Sequence, residues 1–403
     1  MFWLELALIV VGGSAIAVTL FPFSPMTLKA YMPGRSAMIG IHRNRLWLRA
    51  VGLALLAALA ILVIAGESSS GWWWALGGVV GFSGLFFWSG YVPVIMRPPP
   101  RQIERTATEG DSELAPDEDV LGIEIGGERR AYVRTELARP HVAFDTIGGT
   151  DVAITYCILC NTAVGFEAEL HGDPMRFRAI SAFNNNIIYH DSDRGNYIQQ
   201  LDGGVVAGPD TGEELAPVPI AITSWQAWRK AHPDTALVRL PPTGIRDKMM
   251  SSMLDWMIPL PGLARRTKPW HPVHGKLDSR LPAMSMVVGV ENGDEQRAFP
   301  LGGLQQKRVV NDDIGGEPIV VVYDPAGDTV GVFSRRLGDE VLSFHAGGDG
   351  VVVDDQTERS WAVDGAERSE GRPGKRLEPY PHFAKLFWFS WALFKPETEI
   401  AAL

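Results

Sequence analysis

Cysteine is nearly absent from this chain of 403 residues: there are two, Cys157 and Cys160. Two are too few for a disulfide framework, and too few alone for a four-ligand structural zinc site. An excess of basic residues is missing as well. The net charge is −10, so no dense positive surface is available to read phosphates, and nucleic acid is excluded as a partner. The chain also lacks a GxSxG elbow, a phosphate loop, an HExxH pair and a GxGxxG turn between strand and helix. Hydrolase, nucleotide-binding and dinucleotide-binding readings lose their usual support.

What is present is unevenly placed. Hydrophobic residues make up 46% of the chain and are concentrated at its N-terminus. Three stretches, from about Phe2 to Phe23, from Leu46 to Gly66 and from Trp72 to Met96, are long enough for a hydrocarbon core that takes about 20 helical residues. The first has no basic n-region and no clear cleavage site, and two more follow it, so a retained span is expected rather than a signal peptide. Lys29, Arg35, Arg43 and Arg45 crowd the first loop, the second has no basic residue, and Arg97, Arg101 and Arg105 follow the third span. Basic residues stay cytoplasmic, which predicts an outside N-terminus and a cytoplasmic soluble region. Trp72 to Trp74, Trp88 and Tyr91 suit the headgroup layer, and no ionisable residue sits mid-span. The expected role of this part is an anchor whose partner is the lipid bilayer.

The soluble region carries an internal duplication. Gly122 to Phe177 aligns without a gap to Gly289 to Phe344 at an offset of 167, with 17 of 56 pairs identical. Average composition would give roughly one match in fifteen, so the stretches are copies of one unit. A looser likeness pairs Asp191 to Tyr197 with Asp355 to Trp361, and Trp225 to Thr235 with Phe389 to Thr398. The terminal aromatic segment thus reads as a soluble helix rather than a fourth span. Val152 to Tyr156 and Ile319 to Tyr323 read as strands, with Ala163 to Leu170 and Val330 to Leu337 as their partners. The expected fold is mainly β with short helices, two pseudo-repeated β-rich units behind a transmembrane α-helical anchor. The expected divisions are a three-helix anchor (1–96), a Pro/charge-rich linker (97–119), a first unit carrying CxxC (120–245), an inter-unit linker (246–281) and a second unit lacking CxxC (282–403).

Cys157-Ile-Leu-Cys160 leaves a predicted strand and enters a tight turn, so both sulfurs can reach one small volume. Such a turn can hold a metal between thiolates, close a small redox disulfide, or simply pack. The second copy has Asp324-Pro-Ala-Gly327 there, so the turn forms without cysteine and a functional pair is expected. A transition metal, with zinc, iron and copper not distinguished, would need further donors, and His190 or Asp191 are the expected ones. His190 reads alternatively as a solvent-exposed imidazole. His271 and His274 flank a proline and are expected to diverge. His171 and His232 are expected at the surface, and His141, His345 and His382 show no partner. Asn184 to Asn186, with His190 and Asp191, form a polar run that could serve an enzyme of no recognisable mechanism. The rival to metal or redox work is a scaffold that binds a protein or small molecule.

Around Thr155-Tyr-Cys-Ile-Leu-Cys-Asn-Thr-Ala-Val-Gly-Phe the chain resembles the bacterial and archaeal family known as domain of unknown function 3179. The resemblance rests also on Ile147-Gly-Gly, Asp191 with Tyr197, Gly208-Pro-Asp-Thr-Gly, Ser224-Trp-Gln-Ala-Trp-Arg-Lys-Ala-His-Pro-Asp-Thr, Asp278-Ser-Arg-Leu-Pro and Val309-Val-Asn-Asp-Asp-Ile-Gly-Gly. It covers most of Leu121 to Ile400. Ile158 stands where the family often has proline, and Asn161 where it often has glycine. The resemblance implies membrane or envelope association and assigns no activity.

Overall fold

The structure, a computed structural model, describes residues 34–65, 102–242, 248, 265–348, 351–368 and 374–403. Helix α1 (Arg35–Arg43) leads into α2 (Arg45–Ala65), a 21-residue helix that coincides with the second expected span. The first and third expected spans lie outside the described residues. Counted on the described residues alone, no helix is long and apolar enough to cross a membrane. Helix α1 is amphipathic and buries Met38, Ile39 and His42, packing Met38 and Ile39 against Ile180, Ile188 and Tyr197 of the first unit. A loop between two expected spans is thereby docked onto the β-rich region.

The expected linker is ordered from residue 102. Strand β1 (Ile103–Thr106) and helix α3 (Ala107–Glu113) add to the first unit, and a capping box between Thr106 and Glu109 starts the helix. Residues 102–119 are therefore part of the fold, because β1 finds an open edge in β13 (Ala236–Arg239).

The first unit continues through β2 (Asp119–Ile125), β3 (Glu128–Val133), helix α4 (Arg134–Leu137), β4 (Val142–Ile147), β5 (Thr150–Cys157), β6 (Thr162–Glu167), β7 (Phe177–Phe183), β8 (Asn186–Asp191), β9 (Tyr197–Gln199), β10 (Val205–Ala207), β11 (Pro217–Val218), β12 (Ala221–Ser224) and helix α5 (Trp225–Ala231). The second unit has β14 (Met286–Asn292), β15 (Glu295–Pro300), helix α6 (Leu301–Lys307), β16 (Val309–Ile314), β17 (Glu317–Asp324), β18 (Thr329–Ser334), β19 (Phe344–Ala346), β20 (Val352–Asp354), β21 (Ser360–Trp361), β22 (Phe383–Phe387), helix α7 (Trp388–Phe394) and β23 (Glu399–Ile400). The sheet order β12-β2-β3-β13 recurs as β22-β14-β15-β23, each with one parallel pair at the end. β4-β5-β6 recurs as β16-β17-β18, and β7-β8-β9 as β19-β20-β21. The chain is mainly β with few short helices, as its alternating β-branched runs predict.

The packing repeats as closely as the topology. Gly122 and Gly289 lie under the indoles of Trp228 and Trp391: a Cβ would come within 2.3 Å and 2.5 Å of them. Each indole donates to a threonine in the proline-bearing turn that follows its helix, Trp228 Nε1 to Thr235 Oγ1 at 2.9 Å and Trp391 Nε1 to Thr398 Oγ1 at 2.8 Å. These bonds correct the looser pairing by one residue. Trp225 corresponds to Trp388, and Asp191 to Asp354, whose backbone closes the same turn before the next strand. From Asp191 onward the offset is 163.

The two units exchange contacts. Ser224 N–H donates to Gly327 O at 3.3 Å, and Phe387 N–H donates to Cys160 O at 3.0 Å. Those two bonds are one bond seen in both copies, so each unit's closing strand secures the turn of the other.

Candidate functional site

Strand β5 delivers Cys157 at its end, and β6 starts at Thr162, which is paired across from it. The turn between them needs a left-handed residue, and Asn161 supplies it at φ 54°. Its side chain accepts from Tyr156 Oη at 2.8 Å and Arg134 Nη1 at 3.2 Å, and donates to Lys385 O at 2.6 Å. Asparagine thus does more than a glycine could at this position: it bolts the turn to both units.

Both sulfurs are fully buried at 0% exposure, in a core cluster shared by the two units. Cys157 donates to Asn185 O at 3.2 Å. Cys160 Sγ instead collects donors: Thr162 Oγ1 at 3.0 Å and Asn186 Nδ2 at 3.3 Å. Asn186 is held in turn by Gln200 Oε1 at 2.7 Å and by the Leu201 N–H at 3.0 Å. Gln200 Nε2 returns to Thr155 Oγ1 at 3.1 Å and Thr162 O at 3.0 Å.

The pair is electrostatically split. Burial pushes the Cys157 thiol well above the ordinary range, with the neighbouring Cys160 adding to the rise. Burial acts on Cys160 too, but the polar side chains around its sulfur, those of Cys157, Thr162, Asn186 and Ser390, outweigh it and lower its pKa. The two thiols are thus driven in opposite directions, Cys157 up and Cys160 down.

The other expected donors lie elsewhere. His190 projects from β8 onto the face covered by α1, where its ring lies 4.8 Å from that of His42 and 4.7 Å from that of Tyr197. It is buried, its Nδ1 has no partner, and burial, helped by Arg45, Arg178 and Arg43, pushes its pKa down to about 4. It is not the exposed imidazole of the alternative reading. Asp191 is buried at the end of β8, where Oδ1 accepts from Asp193 N–H of the following turn at 3.0 Å and burial raises its carboxyl pKa. Among the described residues no group of three or more His, Cys, Asp or Glu is arranged to hold a metal ion.

The asparagine run is a clamp. Asn185 takes His271 N–H at 2.8 Å and gives to His271 O at 3.0 Å; Asn184 does the same for His274, at 2.7 and 3.4 Å. These bonds hold the strap of residues 271–274 over the core, and they use the amides for backbone pairing. His271 is buried, while His274 stacks on Phe183. His232 is buried against Trp228 instead of lying at the surface, His171 is exposed, and His345 pairs with Asp355 at 2.6 Å. His141 and His382 donate from Nδ1 to backbone carbonyls, of Tyr156 and Tyr380.

The turn, its flanking strands and the second copy are the features that decide kinship. The sequence model of a family described as a protein of unknown function, DUF3179, matches residues 90–398. The chain belongs to this family. In DUF3179 terms, the matched segment takes in the strand and helix that precede the units, the first unit, and the second unit as far as the turn after α7, short of β23. No curated protein and no solved structure matches the chain. Thr162, Asn186, Gln200 and Ser390 are the site residues that sequence reasoning passed over, although Thr162, Asn186 and Ser390 each lay within a stretch that drew notice.

Proposed function

We propose that this DUF3179 protein is a membrane-tethered dithiol module in which Cys157 and Cys160 cycle between a thiol–thiolate pair and a disulfide. The observation that carries this is the convergence of donors on Cys160 Sγ, a buried arrangement of the first copy alone. The Cys160 thiolate attacks a low-molecular-weight disulfide, and one thiolate leaves. Cys157 then gives up its proton and displaces the second from the mixed disulfide. Two electrons pass to the oxidant, and the protein keeps an internal disulfide.

The tether and its side rest on the three apolar stretches and the basic first loop. Docking of α1 on the first unit supports them, since that loop and the soluble region must share a side of the bilayer when two spans separate them. A reducing cytoplasm would keep the pair as thiols. A soft metal ion bound by the same two sulfurs belongs to this reading as an outcome of its test. The complete burial of both sulfurs favours a second reading, a scaffold for a protein or small-molecule partner in which the cysteines only pack.

The test uses full-length protein in detergent, purified anaerobically beside a Cys157→Ser/Cys160→Ser variant. Thiols are counted, metals are measured, and intact mass is followed through a small disulfide oxidant and then a reductant. The dithiol reading expects two thiols, no metal, and a reversible loss of two hydrogens absent from the variant. Stoichiometric metal that disappears in the variant would reassign the pair as ligands. Two thiols inert to the oxidant in folded protein would leave the scaffold.

A further inference from the structure

We propose that the second unit supplies Ser390 as a positioning residue for Cys160, so that the reactive turn of one copy is completed by the helix of the other. The inference rests on the dithiol reading and adds to it a residue from outside the CxxC unit.

The comparison of the two seams carries the argument. Cys160 and Ser390 hold the positions where unit one's turn meets α7, and Gly327 and Ala227 hold the matching positions where unit two's turn meets α5. A Cβ on Gly327 would sit 2.6 Å from Ala227 Cβ and 2.6 Å from Thr329 Oγ1, so that seam has closed down over a missing side chain. Thr329, the counterpart of Thr162, bonds there to Thr223 Oγ1 at 2.5 Å rather than to a sulfur. The amides Gln199 and Gln200 are replaced by Ala362 and Val363. One scaffold therefore has two mirrored seams, one polar around a sulfur and one packed shut.

Ser390 is what the packed seam lacks. It is fully buried in α7, and its Oγ has no partner of ordinary hydrogen-bond geometry. A buried hydroxyl without an acceptor is unfavourable, and the acceptor that the mirrored seam sets opposite it, by the approach of Gly327 to Ala227, is Cys160 Sγ. The Phe387 N–H bond to Cys160 O fixes α7 against the turn one helix step away. The hydroxyl is thus delivered by the docking of two units, independently of the backbone that carries the cysteines.

The experiment is a pH titration of thiolate absorbance and of alkylation rate on the full chain, in wild type, Ser390→Ala, and the isosteric pair Ser390→Thr and Ser390→Val. Losing the hydroxyl should move the lower midpoint up by about one pH unit, a roughly tenfold fall in thiolate fraction below it, while Thr retains it. The Thr and Val variants fill the same volume, so a difference between them survives any packing defect that Ser390→Ala creates. Ala227→Ser at the mirrored seam should leave the titration unchanged. Equal midpoints for Thr and Val, with a low wild-type midpoint, would overturn the role of Ser390 and leave the dithiol reading standing. A wild-type pair with no low midpoint would overturn the dithiol reading itself.

Discussion

Substituting Gly122→Ala and Gly289→Ala separately should cost similar stability and yet affect the sulfurs differently. At Gly289 the new Cβ would lie 2.5, 2.6 and 2.8 Å from three ring atoms of Trp391, and at Gly122 it would lie 2.3, 2.4 and 2.6 Å from three of Trp228. Carbon atoms pack at about 3.5–4.0 Å, so each change forces an overlap of about 1 Å on a buried indole. The rings cannot retreat freely, because each is held by its threonine at 2.8 or 2.9 Å. Overpacking of this kind costs about 1–3 kcal/mol, and loss of the indole hydrogen bond adds about 1 kcal/mol. Thermal unfolding followed by tryptophan fluorescence should show both variants lowered by several degrees. Only Gly289→Ala displaces the helix that bears Ser390, so only that variant should raise the lower thiol midpoint. The reasoning fails if either variant melts with wild type, or if both shift the thiol midpoint equally.

Three further outcomes are expected. His141 is fully buried with its pKa pushed down to about 4 by burial, against a backbone bond from Tyr156 that raises it. The unfolded chain takes up this proton first, so the His141 contribution should be full above about pH 6.5 and be lost as pH drops towards 4, by up to roughly 3 kcal/mol; His141→Asn should make the acid limb shallower, the other buried histidines keeping the rest, in denaturant titrations at stepped pH. Asn185→Ala removes both bonds to His271 and should speed alkylation of Cys157 and Cys160 by about tenfold or more through opening of the strap, whereas an unchanged rate would show that the strap does not control access. Tyr197→Phe deletes the bond to His42 Nδ1 at 3.0 Å and should raise hydrogen exchange across Arg35–Arg43; unaltered exchange would mean that apolar contacts alone dock α1.

The duplication was legible because 17 identities fall at fixed spacing on turns and core positions, which a β fold cannot vary freely. The strands followed from the β-branched runs, and the turn at Cys157 was found from its spacing. Ser390 was hidden by a one-residue slip: pairing Phe389 with Trp225 sets the serine opposite the wrong residue, and only the matched Trp–Thr bonds restore Ala227 as its counterpart. His190 looked like a ligand because its partner could not be seen. That partner, His42, sits in the loop of the expected anchor, and no local pattern links positions so far apart. The asparagines looked catalytic because composition does not reveal that a side-chain amide is pairing with backbone. Residues 102–119 read as tether since a single edge strand and a short capped helix leave little periodicity.

The reciprocal bonds from Ser224 to Gly327 and from Phe387 to Cys160 have a bearing on ancestry. A protein with one copy would leave its turn unsecured unless it met a twin, and two such chains would close each other in a symmetric homodimer with two equal seams. Joining them in one gene relaxes that equality. One seam could then lose its side chains and become mortar, while the other kept a sulfur and the hydroxyl opposite it.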